Sequence, residues 1–185
     1  MKNGYQIYDE NTAPVESGKM LAMVKGHYGF IPNALGAMAV SPRILEAYMS
    51  LDSLVHNTSF SEEEQHVILL AVTREGECSY CVAAHSTFAK MGGVAEQTVS
   101  RLRNGESLGD QKLEALHRFA SKLVCTNGHV DDADVDTFLA AGYTREQVLE
   151  VILIYGNKLL AIFANRIMGT DLDQALMPEQ WSRVA

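Results

Sequence analysis

The hydrophobic stretches of the chain are separated by residues that start or stop helices. Ser61 to Glu64 form a capping box and place three acidic side chains at the positive end of a helix. The apolar run from Val67 to Val72 fits a buried strand on periodicity alone, and this capping box favours a helix instead. Such signals predict helices over 42–57, 62–75, the residues after Gly76 to Met91, 95–103, 111–127, 132–141 and 145–168. The sequence therefore predicts an all-α domain.

The last predicted helix, 145–168, is apolar on most sides, which predicts a central position in the fold. Its polar exceptions fall within about a quarter of the helix circumference. They are Glu150, Asn157, Lys158 and Asn165. We expect this stripe to face solvent or another subunit, and the alternative is that it forms a polar wall of an internal site. Three charged residues, Glu150, Lys158 and Arg166, argue against a membrane span.

Composition and charge narrow the class of protein. The 185 residues are 47% apolar and contain only four prolines and no clear linker, which predicts one domain over 1–185. The net charge of −8 and the absence of a Lys/Arg cluster argue against binding to nucleic acid or to an anionic membrane. The polar N-terminus lacks the apolar segment of a secretory signal, so we expect a cytoplasmic location.

Two of the three cysteines and one histidine form the motif Cys78-x-x-Cys81-x-x-x-His85. Attachment of a c-type haem needs histidine directly after the second cysteine, and Val82 occupies that place. A structural zinc site usually needs a fourth ligand, which the motif does not supply. Small buried cysteines beside a satisfied histidine are a further alternative. Dithiol redox chemistry fits best, because cytoplasmic cysteines at this spacing more often serve redox or metal chemistry than a static disulfide.

The spacing of the motif assigns a chemical role to each of its residues. A helix N-terminus favours the thiolate form of a cysteine, and His85 lies one turn after Cys81, where it can accept the thiol proton. A thiolate that attacks a peroxide oxygen becomes a sulfenic acid, which condenses with a second thiol to a disulfide. The i,i+4 spacing to His85 favours Cys81 as the nucleophile and leaves Cys78 as the resolving thiol.

With these motifs, the chain resembles the AhpD-like alkylhydroperoxidase branch of the carboxymuconolactone decarboxylase superfamily, and most closely its peroxidase-related proteins. The resemblance covers about residues 28–173 and is carried by GFIPNALGAMAVSPRILEAYMSLDSLV, SEEEQHVILLAVTREGECSYCVAAH and LLAIFANRIMGTDLD. It implies an AhpD-like helical fold, assembly into trimers or hexamers, and a dithiol peroxidase site. It also implies a peroxidatic role for Cys81, a resolving role for Cys78 and a proton-relay role for His85.

The sequence departs from the family's pattern at one position of the proton relay. Members typically carry a glutamate twelve residues before the first cysteine, where this chain has His66. A carboxylate stabilises a nearby imidazolium, whereas a second imidazolium repels it. We expect His66 either to pass a proton in its neutral form, oriented by Glu62 or Glu63, or to be a partly buried histidine without a role. Of the neighbouring candidates, Cys125 is expected to be buried among apolar residues, and Tyr80 is expected mainly to pack.

These inferences predict a thiol-dependent hydroperoxide reductase that works through a Cys78–Cys81 disulfide. An external dithiol must reduce the disulfide again. The sequence has no Rossmann glycine fingerprint and no P-loop, so we expect no bound cofactor. Two alternatives stay open: a redox-sensing or disulfide-exchange protein of the same fold, and a carboxymuconolactone decarboxylase-like lyase, for which the cysteine pair is superfluous.

Overall fold

The computed structural model describes residues 1–183, and within them the chain forms helices and no strand. In chain order the helices are α1 (Val15–Tyr28), α2 (Asn33–Met38), α3 (Pro42–His56), α4 (Glu62–Glu75), α5 (Ser79–Met91), α6 (Glu96–Asn104), α7 (Gln111–Cys125), α8 (Asp132–Ala140), α9 (Arg145–Met168) and a 3-10 helix (Gln174–Glu179). The predicted all-α class is confirmed.

Two of the residues predicted to start helices, Ser61 and Thr144, do so through side-chain hydrogen bonds, whereas Ser41 before α3 makes no side-chain cap. The Ser61 hydroxyl accepts from the Glu64 backbone N–H, and the Glu64 carboxylate accepts from the Ser61 N–H at 2.9 Å. Thr144 and Gln147 make the same reciprocal pair before α9. Because these caps satisfy backbone groups that have no partner inside the helix, they fix where α4 and α9 begin.

Two observed helices, α1 and α2, were not among the predicted ones because they lack polar start signals. Pro14 and Pro32 occupy their N-cap positions, and neither residue supplies a side-chain cap. Helix α1 ends at Gly29, whose φ of 78° suits glycine. Tertiary packing holds both helices in place, since α1 packs against α3 and α2 packs against α3 and α9.

The buried apolar residues form two clusters. The first, here called the aromatic cluster, includes Phe60, Phe119, Phe138, Tyr143, Val151 and Ile154. The second, here called the cysteine cluster, includes Leu21, Leu35, Met38, Leu45, Cys78, Cys81, Ala161 and Ile162. Helix α9 contributes its first half to the aromatic cluster and its second half to the cysteine cluster, so it links the two parts of the core.

Helix α9 meets the length and hydropathy requirements of a membrane span, with a mean hydropathy of 1.5, but in this fold it packs against α3 and α4. Three of the four residues of its polar stripe are not solvated. Asn157, Lys158 and Asn165 are only 0%, 1% and 5% exposed. The expectation of a solvent- or subunit-facing stripe is therefore wrong for these three residues, because Tyr48 and Cys81 on neighbouring helices contact their side chains. Glu150 is half-buried and accepts hydrogen bonds from Ser59. The stripe instead forms an internal polar wall.

Candidate active site

The two cysteines lie at the N-terminus of α5, where they form a disulfide. Helix α5 begins at Ser79, so Cys78 is the N-cap residue and Cys81 lies in the first turn. The Cys78 sulfur accepts a hydrogen bond from the Cys81 backbone N–H at 3.2 Å. Both cysteines are buried, at 6% and 4% exposed. In the reduced protein, the helix N-terminus favours the thiolate form of Cys78.

The segment that leads into α5 is fixed by contacts with the C-terminal part of the chain. Glu77 has a φ of 51°, in the left-handed region that non-glycine residues seldom adopt. Its carboxylate pairs with Arg183 at 2.9 Å, and Arg166 donates a hydrogen bond to the Gly76 carbonyl. The Cys78 N–H donates to the Thr73 carbonyl at 3.1 Å. These contacts hold the N-cap cysteine in place against α4.

Cys81, and not Cys78, lines a cavity of about 300 Å³ between α1, α3, α5 and α9. Most of its wall is apolar or aromatic, including Met23, Tyr28, Met38, Tyr48, Met49 and Phe88. Cavities of this size and character are typical of small-molecule sites. Of the two sulfur atoms, only the one on Cys81 is therefore placed to meet a molecule in the cavity.

His85 follows Cys81 by one turn on α5 and faces the same cavity. Burial lowers the pKa of His85 well below its ordinary value, the charge of Lys158 and the imidazole of His66 lower it further, and Asp52 opposes them. The imidazole is therefore neutral at pH 7. A neutral imidazole has a free ring nitrogen that can accept the proton of a nearby thiol.

Asn165 contacts the Cys81 sulfur from α9. Its side-chain N–H donates to the Cys81 sulfur at 3.5 Å. Its carbonyl oxygen is buried and has no hydrogen-bond partner among the described residues. Because a hydrogen bond to sulfur favours the charged form, this amide stabilises a Cys81 thiolate. The sequence placed Asn165 in the polar stripe of α9 and gave it no role at the cysteines.

Tyr80 lies between the cysteines and ties α5 to two other parts of the fold. Its hydroxyl donates to the Asp173 carboxylate at 2.5 Å and accepts from the Ala34 N–H at 3.2 Å. Burial, with the neighbouring Asp173 carboxylate, raises the pKa of Tyr80, so the hydroxyl stays protonated. These contacts agree with the expected structural role of Tyr80. Its ring also forms part of the cavity wall.

A polar cluster beside His85, made of Tyr48, Asp52, His56 and Lys158, was not identified from the sequence. The Lys158 ammonium lies 2.9 Å from the Tyr48 hydroxyl and 3.5 Å from the Asp52 carboxylate. The same carboxylate lies 3.6 Å from the His56 ring. Tyr48, Asp52 and His56 recur every four residues on α3 and so share one helix face. The four-residue spacing was visible in the sequence. It does not show that this face of α3 packs against Lys158.

His66 lies on α4 beside a second cavity of about 320 Å³, which His85 also lines. The structure thus brings His66 to the same cavity as His85, and its role in a relay stays a prediction. Its ring Nδ1 is buried without a partner among the described residues. Burial lowers the pKa of His66, and the carboxylate of Glu62 opposes this. Both of these side chains lie beside Gly92, although Glu62, like Glu63, is exposed.

The expectation that Cys125 is buried is wrong. This cysteine is exposed at the last position of α7, with its sulfur 3.6 Å from the Glu75 carboxylate. The apolar face of α7 contains Leu116 and Leu123, and Cys125 points away from that face at about 100° per residue. The neighbouring protein atoms still shield part of the sulfur from water, and this partial desolvation together with the Glu75 carboxylate raises the pKa of the thiol, which disfavours the thiolate. Among residues 1–183, no three His, Cys, Asp or Glu side chains are grouped to hold a metal ion.

Several solved structures have this fold. A peroxidase-related protein from Ralstonia eutropha JMP134, described as an alkylhydroperoxidase AhpD core, superposes with a TM-score of 0.83 at 18% identity, with 93% of each chain covered. A peroxidase-related protein from Silicibacter sp. TM1040 gives a TM-score of 0.78 at 17% identity, covering 93% of this chain and 91% of the other. The debrominase Bmp8, solved with 2,3,4-tribromopyrrole, gives 0.73 at 18% identity, with 84% of each chain covered.

These likenesses define the class of structure. Neither a protein-family model nor a curated protein matches the sequence. At 17–18% identity, the superpositions establish the fold, and the fold is that of the AhpD-like peroxidase-related proteins. The AhpD-like fold expected from the sequence is confirmed.

Proposed function

We propose that this protein is a thiol-dependent hydroperoxide reductase that uses Cys81 and Cys78 as its redox pair. The observation that carries the proposal is the placement of Cys81 at an apolar cavity, beside a neutral imidazole and an amide N–H. Hydroperoxide reduction needs a thiolate, a proton acceptor and a second thiol within reach. This site supplies all three, and its apolar walls suit the organic part of an alkyl or aryl hydroperoxide.

The reaction starts from the reduced pair. His85 accepts the Cys81 proton, and the thiolate attacks the terminal oxygen of the hydroperoxide. The O–O bond breaks, the alkoxide takes a proton and leaves as an alcohol, and Cys81 becomes a sulfenic acid. The Cys78 thiolate attacks that sulfur, which forms the disulfide and releases water. One hydroperoxide and two thiols thus give one alcohol, one water and one disulfide.

The site residues fall into two groups in this proposal. Cys81 and Cys78 exchange bonds, and His85 carries the proton. Asn165 stabilises the thiolate through its N–H. His66 is the proposed outer member of the proton path, since it shares a cavity with His85. The site needs no cofactor besides the disulfide itself.

An external dithiol closes the cycle by thiol–disulfide exchange. Cys78 does not line the cavity that Cys81 faces, and it directly follows the exposed residue Glu77. We therefore assign the external attack to Cys78, and the Cys81 thiol is the leaving group.

Assembly into trimers or hexamers belongs to the same proposal. The exposed apolar residues Leu149, Ile152 and Phe163 on α9 support self-association, which light scattering measures directly.

The stoichiometry of a single turnover tests the proposal. The reduced Cys125→Ser protein is mixed with one equivalent of cumene hydroperoxide, quenched in acid and analysed for disulfide and for alcohol. We expect one alcohol for each Cys78–Cys81 disulfide, and no alcohol from a variant in which both cysteines are also Ser. Thiols that stay open to alkylation for minutes would contradict peroxide reduction and favour disulfide exchange or a lyase reaction.

Reductive debromination is the second candidate, favoured by the aromatic wall of the cavity and by the fold shared with Bmp8. In such a reaction the Cys81 thiolate attacks the bromine, the carbon takes a proton, and Cys78 displaces bromide to form the disulfide. One aryl bromide and two thiols then give one arene, one disulfide and HBr. Bromide release from 2,3,4-tribromopyrrole, measured at one equivalent of the reduced protein, separates the two candidates.

A further inference from the structure

The central helix α9 buries a lysine that no step of the proposed reaction uses. Lys158 is 1% exposed and stands among the apolar residues of the core. Taking an ammonium group out of water is costly unless it is paired and hydrogen-bonded. The observed partners are one phenol at 2.9 Å and one carboxylate at 3.5 Å, from Tyr48 and Asp52. An apolar side chain would fill this place at less cost, so the charge itself calls for an explanation.

The carboxylate partner keeps the cluster ionised. Burial raises the pKa of Asp52, but the His56 hydrogen bond and the charge of Lys158 outweigh it and lower that pKa to about 2. Burial lowers the pKa of Lys158, and Asp52 opposes the change. His56 stands at the rim, with 61% of its side chain exposed. The cluster is therefore a buried ion pair with one end at the solvent.

His85 is the group of the proposed reaction that this ion pair faces. The titratable groups around the cavity that His85 shares with Lys158 are His27 and Tyr28 from α1, Tyr48, Asp52 and His56 from α3, Glu62 and His66 from α4, and Lys158 from α9. Asp52 opposes Lys158 at His85, and of these two charges Lys158 has the larger influence. The positive end of the pair thus dominates at the imidazole.

We propose that Lys158, held by Asp52 and Tyr48, is a fixed positive charge that adds to the effect of burial in keeping His85 neutral, so that the imidazole is free to accept the Cys81 proton. This inference rests on the proposed function, in which His85 accepts the Cys81 proton. Its physical basis is the buried cluster of Lys158, Asp52 and Tyr48. Lys158 touches neither sulfur, so it is a positioning residue that acts through His85. Its charge disfavours the imidazolium until the thiol supplies the proton, which keeps the base available at acidic pH.

The charge state of His85 is measured directly by NMR titration of the disulfide form with isotope-labelled histidine. A His85→Gln variant assigns the resonance. In the natural protein, we expect His85 to titrate well below the pH at which an ordinary histidine does. Lys158→Met removes the charge and should raise the titration midpoint by about one pH unit. Lys158→Arg keeps the charge and should retain the low midpoint.

Two further variants control for loss of folding and for a general effect of removing a positive charge. Lys158→Met leaves Asp52 without its cation, so Asp52→Asn/Lys158→Met provides a neutral pair that removes this strain on folding. Its midpoint should lie between those of the natural protein and Lys158→Met, because the opposing charge of Asp52 is lost as well. Lys122→Met makes the same charge change at an ion pair on α7 and should not move His85. A midpoint that is unchanged in Lys158→Met, or displaced equally in Lys158→Met and Lys158→Arg, overturns the inference.

The pH dependence of single-turnover peroxide reduction separates this inference from the proposed function. The acid limb of the rate profile should move to higher pH in Lys158→Met, in step with the NMR midpoint. If the midpoint moves and no variant reduces peroxide, the charge control stands and the proposed function fails. If the natural protein reduces peroxide and neither the midpoint nor the acid limb moves, the function stands and the role of Lys158 is overturned.

Discussion

The aromatic cluster and the cysteine cluster share α9 but are built differently. In the aromatic cluster, Phe138 is fully buried and stacks between Tyr143 and Phe119, with ring centroids 4.5 and 4.6 Å away. The cysteine cluster instead borders a cavity of about 300 Å³, and the Asn165 side chain on α9 donates to the sulfur of its Cys81. One half of the core is packed ring against ring, and the other borders an open cavity.

This difference indicates a division of labour within a single core. Close-packed apolar side chains give most of the stability of a fold, whereas unfilled space and buried polar groups cost stability and persist where chemistry needs them. Helix α9 belongs to both clusters, so the close packing of the aromatic cluster holds the α9 wall of the cavity in place. Substitutions in the aromatic cluster should therefore change stability alone, and those in the cysteine cluster should mainly change reaction rates.

The largest expected effect comes from opening the aromatic cluster. Phe138→Ala should lower the free energy of unfolding by about 3–5 kcal/mol, because it removes a fully buried ring and leaves a cavity. Urea denaturation of the natural and variant proteins measures the loss, and single-turnover peroxide reduction under folding conditions should keep its rate. A tenfold slower reaction in the folded variant would contradict the expectation that the aromatic cluster affects stability alone.

Tyr80→Phe should have the next largest effect. Tyr80 lines the cavity, and its hydroxyl also ties α5 to two other parts of the fold. The change deletes the hydroxyl that bonds Asp173 and the Ala34 N–H, which should cost about 1–3 kcal/mol of stability. Tyr155→Phe is the matched control, since Tyr155 makes no side-chain hydrogen bond in the described residues and should cost little. Equal denaturation midpoints for the two variants would show that this link is not structural.

Asn165→Ala should slow the reaction more than it destabilises the protein. Loss of the N–H that contacts the Cys81 sulfur should reduce the rate of thiolate alkylation at pH 7 about tenfold. The stability loss should be small, because the amide oxygen already lacks a partner. Iodoacetamide kinetics on reduced Cys125→Ser protein provide the readout, with Asn104→Ala as a remote control. An unchanged alkylation rate together with a large loss of stability would reverse the assignment.

The smallest effect is expected at His66. His66→Glu places a carboxylate beside the cavity of His85, where it stabilises the imidazolium that forms as Cys81 loses its proton. Single-turnover peroxide reduction should be faster by about threefold. His129→Glu adds the same charge at an exposed position and should leave the rate unchanged. If both variants react at the natural rate, His66 has no part in the relay.

The sequence predicted what local chemistry decides. Capping boxes at Ser61 and Thr144 predicted two helix starts, and the cysteine motif located the disulfide pair and the histidine that lines the same cavity as Cys81. It did not predict α1 and α2, because proline N-caps without polar side chains leave no start signal. These helices exist through packing against α3 and α9, which a local pattern does not encode.

The polar cluster was missed for a related reason. Tyr48 and Asp52 lie on one face of α3, and Lys158 lies on the polar stripe of α9, so each half was visible in the sequence. Only the tertiary packing of α3 on α9 turns two amphipathic faces into one buried ion pair. Cys125 shows the reverse case, since its apolar sequence neighbours suggested burial and its position on α7 exposes it.

The central claim is that Cys81 is the sulfur that meets the hydroperoxide. Its most direct test is trapping of the sulfenic acid with dimedone in Cys78→Ser and Cys81→Ser variants, both in the Cys125→Ser background, followed by mass spectrometry. The account predicts rapid labelling of Cys81 in Cys78→Ser and no comparable labelling in Cys81→Ser. Labelling of Cys78 in Cys81→Ser, with none on Cys81 in Cys78→Ser, would contradict it and assign the attack to the N-cap sulfur.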